Sequence, residues 1–340
     1  MAASRDYDVV VPTSGRHWDY LVAALDSVAA QTVPPTRTIV VVDGDEHAGE
    51  RLRDRGGVDV IVRERRGGAA VARQAGIEAA TSTWVALLDD DDLWLPTKQE
   101  RLFAYVDEHP ECRAVRAGYW MFAESGDASG LFGQQPEMVG HDLAELERAA
   151  RTAEPRNDLD YLDIEGQSLA LLMERNRGVI GTSMVATDIL QSLPPVPAGL
   201  TPGDDHLLFC HVAARTEWHL VRERLELYRL HGGQDSRNPG PEPALAILRG
   251  RRIAWDTYRD QAPPLASYGP SYSTELRQAW WTVLRQTGSP RAALRVYAAG
   301  LALLPRWRHR LAAAVPEPVV HRWRGALRRP GHEQKGRPSW

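Results

Sequence analysis

The chain has 340 residues, 45 of them acidic and 41 basic, for a formal net charge of −4. With 43% apolar and 25% charged residues it has the balance of a soluble globular protein, long enough for one large domain or two ordinary ones. Two cysteines, Cys112 and Cys210, exclude a disulfide framework and match no zinc spacing. No stretch approaches the length that spans a bilayer, and the polar segment Met1 to Tyr7 does not read as a secretory leader. A reducing, cytoplasmic setting is the expectation.

From residue 8 to residue 95 strands and helices alternate. Asp8-Val9-Val10-Val11 is a β-branched run that ends at Pro12. His17 to Gln31 has helical periodicity, with Leu21, Leu25 and Val28 on one face. Thr38 to Val42 is a second strand, closing at Asp43-Gly44-Asp45, and Val58 to Val62 is a third. Ala69 to Ala80 is a helix and Trp84 to Leu88 a fourth strand. Near-continuous aliphatic runs separated by helices predict a mostly parallel, Rossmann-like sheet covered on both faces.

The fourth strand runs directly into Asp89-Asp90-Asp91-Asp92. Ligands of open α/β sheets bind beyond the carboxyl ends of the strands. Four adjacent carboxylates repel one another and any phosphate, and a hard divalent cation bridging carboxylate and phosphate oxygens resolves both conflicts. The other reading of the run is a solvated acidic turn or a helix cap.

Residues 97–109 predict a further helix and Ala114 to Phe122 a strand. The polar stretch 123–163 reads as an insertion or lid, with an exposed helix over His141 to Ala153. Val179 to Ala186 and Trp218 to Arg222 read as later strands. Gly232 to Pro243 is a linker, followed by a helical C-terminal region, 236–340. Residues 231–340 carry 18 Arg or Lys against 7 Asp or Glu, so the acidic excess lies upstream. Within this region Pro305 to Arg310 and the segment around Trp323 mix arginines with tryptophans. That composition suits peripheral contact with the anionic inner face of a membrane, or else a helical cap or a dimer surface. No nucleic-acid recognition motif accompanies it.

In order and spacing, six segments resemble the inverting nucleotide-sugar glycosyltransferases of family 2, which have the GT-A fold. They are Val9 to Arg16; Val41-Val42-Asp43-Gly44-Asp45; Gly68 to Ile77, similar to an Ala-Arg-Asn-x-Gly-Ile helix; Leu88 to Pro96 with Lys98, close to Leu-Asp-x-Asp-Asp-x-Trp-x-Pro-x-Lys; Gly203-Asp204-Asp205; and Leu225 to His231 with Ser236. The resemblance covers roughly residues 7–236. It implies a catalytic region over 1–235, with a donor half to about residue 110 and an acceptor and base half from 111. Ser14-Gly15, Asp45, Asp204 and His206-Leu207-Leu208 depart from the usual pattern, chiefly on the acceptor side.

The resemblance implies roles that can be weighed residue by residue. Pro12 fixes the chain leaving the first strand and Thr13 offers a hydroxyl and an amide to a nucleotide. Asp43 accepts from the imide N–H of uracil or thymine, or is an ordinary turn aspartate. The family assignment makes Asp91 the main metal ligand, Asp89 an auxiliary one and Asp90 a contact to the donor ribose or sugar; Asp92 is left to cap the next helix. Gly67-Gly68 either point amides at a phosphate or simply start a helix. Arg73 suits a diphosphate, or is a surface residue or a partner for the aspartates. Trp94 packs under the loop or walls the sugar pocket. Asp205 is the general base of a displacement with an oxocarbenium-like transition state, and its alternative is a helix cap. By resemblance His231 approaches the diphosphate and Val179 to Met184 lines the acceptor side. His206, His211 and His219 form no metal spacing.

The expected activity is therefore Mn²⁺- or Mg²⁺-dependent transfer, with inversion, of a sugar from a UDP- or dTDP-sugar to a hydroxyl of a glycan, glycolipid or metabolite. The competing readings are a nucleotidyltransferase on a related fold, which lacks its basic loop here, and a non-catalytic sugar-nucleotide binder or membrane scaffold.

Overall fold

The computed structural model describes residues 5–124, 135–154, 164–234 and 241–304. The alternation read from the sequence is present, with strand β1 (Tyr7–Thr13), helix α1 (Trp18–Ala29), β2 (Arg37–Asp43), α2 (Glu46–Arg55), β3 (Asp59–Arg63), α3 (Ala69–Ala79) and β4 (Trp84–Leu87). Helix α2 was not expected. Its sequence is mostly charged, and only Ala48, Gly49 and Leu52 face inward. It is set by its ends: the Asp45 carboxylate accepts from Ala48 N at 3.0 Å as an N-cap, and Gly56, at φ 73°, stops it. The unusual Asp45 is thus a capping residue.

The chain continues through β5 (Leu93–Trp94), α4 (Lys98–Glu108), β6 (Ala114–Ala123), β7 (Met138–Val139) and α5 (Leu143–Ala150), then α6 (Leu169–Glu174), β8 (Ser183–Ala186), α7 (Thr187–Gln191), α8 (Asp204–Ala213) and β9 (His219–Arg229). Two strands differ from expectation. The strand foreseen over Val179 to Ala186 is shortened, because Ile180–Thr182 forms a 3-10 turn. There the Thr182 and Ser183 hydroxyls donate back to the carbonyls of Val179 and Ile180, competing with the ladder. The strand foreseen over Trp218 to Arg222 instead runs to Arg229, because β6 pairs with it as far as Phe122↔Arg229. Of the foreseen insertion, residues 125–134 and 155–163 lie outside the described residues, as do Ser236 and the basic, tryptophan-bearing segment 305–340.

Among the described residues the sheet has nine strands in the order β3-β2-β1-β4-β8-β6-β9-β5, with β7 beside β6. β1 pairs in parallel with both β2 and β4, so the strand order reverses around it. β8 is antiparallel to β4 and β6, and β5 to β9. The sheet is therefore mixed rather than purely parallel. Both faces of its parallel part are covered. Val10, Val41, Val85 and Leu87 face α3 and α8, whereas Val9, Val11, Val40 and Val42 face α1, α2 and α4. This is why the strands read as unbroken aliphatic runs. Helices α9 (Pro241–Tyr258), α10 (Tyr268–Thr287) and α11 (Pro290–Leu303) share a further core around Leu248, Tyr272, Leu276 and Val296. Among the described residues no helix is long and apolar enough to cross a membrane.

Gly76 lets α3 lie against the sheet, since a Cβ there would sit 2.4 Å from Val10 Cγ1 and 3.2 Å from Val41 Cγ2. Ala is the better helix former by about 1 kcal/mol, but overpacking a full core costs about 1–3 kcal/mol. Val10 and Val41 are fully buried and have nowhere to go, so the packing term wins. Gly76→Ala is expected to lower stability by about 1–2 kcal/mol, read as a fall in the urea midpoint at an unchanged slope.

Candidate active site

The carboxyl ends of β1, β2 and β4, where the strand order reverses, open onto a cavity of about 680 Å³. Such a crevice is the usual ligand site of an open α/β sheet. Pro12, Thr13, Asp43, Arg73, Asp89, Asp90, Asp91 and Asp205, all picked out by the sequence, line it. Pro12 and Thr13 end β1, Asp43 ends β2, and the aspartate run follows β4. Asp205 arrives from the opposite wall, on the first turn of α8.

Asp43 is 5% exposed and heavily used. Its carboxylate accepts from the Gly67 amide at 2.9 Å and the Gly68 amide at 2.7 Å, and pairs with Arg63. The glycine amides are therefore aimed at Asp43 and not at a phosphate, which replaces one reading of Gly67-Gly68. Gly68, at φ 87°, is the residue that starts α3.

Arg73, on that helix, is 4% exposed. Its Nη2 donates to Asp89 Oδ1 and its Nη1 to Asp204 Oδ2, each at 2.8 Å. It is thus the partner of the aspartates, and it joins the loop of the aspartate run to the helix that carries Asp205. Thr13 Oγ1 donates to Asp90 Oδ2 and accepts from Gly15 N at 3.0 Å. Asp91 Oδ2 lies 3.0 Å from His231 Nε2.

Asp92 does not cap the next helix, whose N-cap is Thr97. It is fully buried and accepts from Arg229 N at 2.8 Å, tying the acidic loop to β9. Trp94 is likewise fully buried, beneath the loop, with Nε1 donating to Gly181 O at 2.8 Å.

Burial and crowding raise the pKa values of these carboxyls. Burial, only partly offset by Arg73, lifts Asp89 to about 6. Burial and the Asp91 charge lift Asp90 to about 8. Crowding thus disfavours full ionisation of the wall in the absence of a counter-cation. Among the described residues no three His, Cys, Asp or Glu side chains converge into a ready-made metal cage. Asp91 and His231 supply two adjacent donors, with Asp89 nearby and 34% exposed at its side chain. Mg²⁺-type ions are commonly held by one or two protein ligands plus substrate phosphates, so these residues fit an ion that arrives with a diphosphate.

On the opposite wall, Asp205 Oδ2 accepts from Asn176 Nδ2 at 3.0 Å and Oδ1 from His206 N at 2.7 Å. Burial, then repulsion by Asp204, raises its pKa to about 6, against those two hydrogen bonds. Asn176, Tyr119, Tyr228 and His17 also line the cavity and were not foreseen. Tyr228 and His231 lie in the segment that carried the resemblance. Asn176 and Tyr119 are brought in by tertiary packing, and no spacing marks them.

The family model described as Glycosyl transferase family 2 matches residues 8–138. The putative teichuronic acid biosynthesis glycosyltransferase TuaG of Bacillus subtilis is 30% identical over 142 residues, covering 40% of this chain and 55% of that protein. The amylovoran biosynthesis glycosyltransferase AmsE of Erwinia amylovora is 24% identical over 217 residues, 61% of this chain and 77% of that protein. The chain thus spans about half the length of the B. subtilis relative. Among solved structures, S. aureus TarS 1–349 in complex with UDP-GlcNAc superposes with a TM-score of 0.51 at 14% identity, covering 87% of this chain and 89% of that one. Sequence and architecture agree: residues 8–138 match the family 2 glycosyltransferase model, and the chain shares the α/β fold of that solved structure.

Proposed function

We propose that the chain is an inverting, divalent-metal-dependent glycosyltransferase that moves a sugar from a UDP- or dTDP-sugar to an acceptor hydroxyl. One observation carries this reading. Asp89, Asp90 and Asp91 after β4, and Asp205 on α8, reach a single cavity from distant parts of the chain. They give it a diphosphate-side wall and a separate carboxylate facing it.

In this reading Thr13 and Asp43 frame the nucleoside at the ends of β1 and β2, and Asp90, steadied by Thr13, meets the ribose or sugar. Asp91 and His231, with Asp89 as auxiliary, would hold Mn²⁺ or Mg²⁺, which neutralises the departing diphosphate as a Lewis acid when bound. Asp205 takes the proton of the acceptor hydroxyl as that oxygen attacks the anomeric carbon on the face opposite the diphosphate. Inversion follows from that single displacement. With Asn176 on Oδ2 and the His206 amide on Oδ1, each oxygen of Asp205 keeps a lone pair for the incoming hydroxyl. The names of the B. subtilis and E. amylovora relatives support a surface polysaccharide as the product class.

A ligand that binds only the folded chain raises its melting temperature. Among nucleotide sugars, a UDP- or dTDP-sugar with Mn²⁺ is expected to give the largest rise, abolished by EDTA and reduced in Asp91→Asn. A shift that is indifferent to Mn²⁺ and to Asp91 refutes metal-assisted donor binding.

Asp205→Asn is expected to slow nucleoside diphosphate release by about 10²–10⁴-fold while keeping the donor-induced thermal shift. As a base, Asp205 works only when ionised, so kcat/KM falls as pH drops through about 6. That limb disappears in Asp205→Asn. A full rate in the variant, or a profile flat between pH 5 and 7 in the wild type, removes Asp205 from this role; the pH window follows from the raised pKa.

A further inference from the structure

The C-terminal helices are part of the cavity wall. Ile247 of α9 and Glu275 of α10 line it, and α9 lies so close to α8 that a Cβ on Gly250 would sit 3.1 Å from Gly203 O. Ser271 of α10 donates to the Glu174 carbonyl at 3.2 Å, fixing α10 beside the turn that presents Asn176 to Asp205. The charges of Arg251 and Glu275 both reach His206, the neighbour of Asp205. Glu275, one turn on from Ser271, therefore lines the cavity from the helix held beside the turn of Asn176.

Its setting is built. Arg251 is fully buried, with its guanidinium 5.1 Å from the ring centres of both Tyr268 and Tyr272. From there it pairs with Glu275 Oε2. Among the described residues Glu275 Oε1 makes no hydrogen bond, and the side chain is 29% exposed. A part-exposed carboxylate that lines a cavity and is anchored by a buried arginine is a preorganised acceptor for a ligand O–H. The other arginines of this end are also committed, Arg73 to Asp89 and Asp204, and Arg177 to Glu174. An anionic acceptor would meet carboxylates and cations that are already paired.

We propose that Glu275 is an acceptor-binding residue, and that the acceptor is an uncharged polyhydroxyl compound, a sugar unit with neighbouring hydroxyls. One hydroxyl faces Asp205 and another donates to Glu275. The inference rests on the glycosyl-transfer reading above and adds the acceptor class to it.

The test measures nucleoside diphosphate release from the nucleotide sugar selected by thermal shift, with Mn²⁺. Release is followed in water alone, with methyl β-glucopyranoside as an uncharged probe, and with glycerol phosphate as an anionic one. The glycoside is expected to stimulate release more than glycerol phosphate does. The ratio of stimulated to unstimulated release is expected to fall about tenfold in Glu275→Gln, the size of a lost hydrogen bond to a charged group. Gln still accepts from Arg251. Should that variant melt early, Ile247→Phe, which narrows the same wall from α9, is expected to lower the same ratio. No stimulation by the glycoside, a preference for glycerol phosphate, or a ratio untouched in both variants overturns the proposal. No release by the wild type under any condition overturns the transfer reading beneath it.

Discussion

The Arg73 guanidinium, wedged between Asp89 and Asp204, is the contact on which the rest of the site depends. Arg73 and Asp204 are 131 residues apart in sequence, and Asp89 and Asp204 belong to opposite walls of the cavity. Arg73 and Asp204 sit where water is scarce, whereas Asp89 is partly exposed, and it is the buried Arg73–Asp204 pair in which a lone charge is expensive. One guanidinium with hydrogens directed both ways satisfies the two together and fixes their separation. Removing one member of such a buried pair typically costs about 3–5 kcal/mol, because the remaining charge is stranded. The site thus gains its two-walled shape from the same ion pairs that stabilise the junction of α3, α8 and the loop after β4.

Below that junction lies a second polar layer. Asp92, Lys98, Gln99, Arg116 and Glu226 are all fully buried. Lys98 Nζ sits 4.0 Å over the Trp94 ring, and burial pushes Lys98 down to about 7 and Glu226 up to about 8. A Cβ on Gly181 would lie 2.2 Å from Glu226 Oε1, so this layer reaches the turn on the acceptor side. The run from Asp89 to Lys98 therefore has two functions at one spacing. Asp89, Asp90 and Asp91 face the cavity, whereas Asp92, Trp94 and Lys98 are the floor that holds them at a fixed height. The buried partners are strongly coupled electrostatically because little water screens them.

Much of this was legible before the fold was known. The aliphatic runs of β1, β2 and β4 announced a covered parallel sheet, and the polar residues closing each run marked its ligand-binding edge. Where the pattern misled, a local hydrogen bond had won. The hydroxyls of Thr182 and Ser183 broke a strand into a turn, and the Asp45 cap made a helix of a charged segment. Gly67 and Gly68 looked ready for a phosphate, yet their amides serve Asp43. The position of Asp92 in the run could not reveal that its partner is a backbone amide on β9.

The sequence by itself determined where the parallel strands lie and which polar residues close them, because periodicity and carboxylate spacing are local and survive without any partner. Only the tertiary structure decided what each carboxylate touches. Arg73 turned out to be shared, Asn176 to be the neighbour of Asp205, and Glu275 to belong to the cavity at all. Those are contacts between segments far apart along the chain. They exist only once the helices close over the sheet, and nothing in the order of the residues encodes which buried cation will find which buried anion.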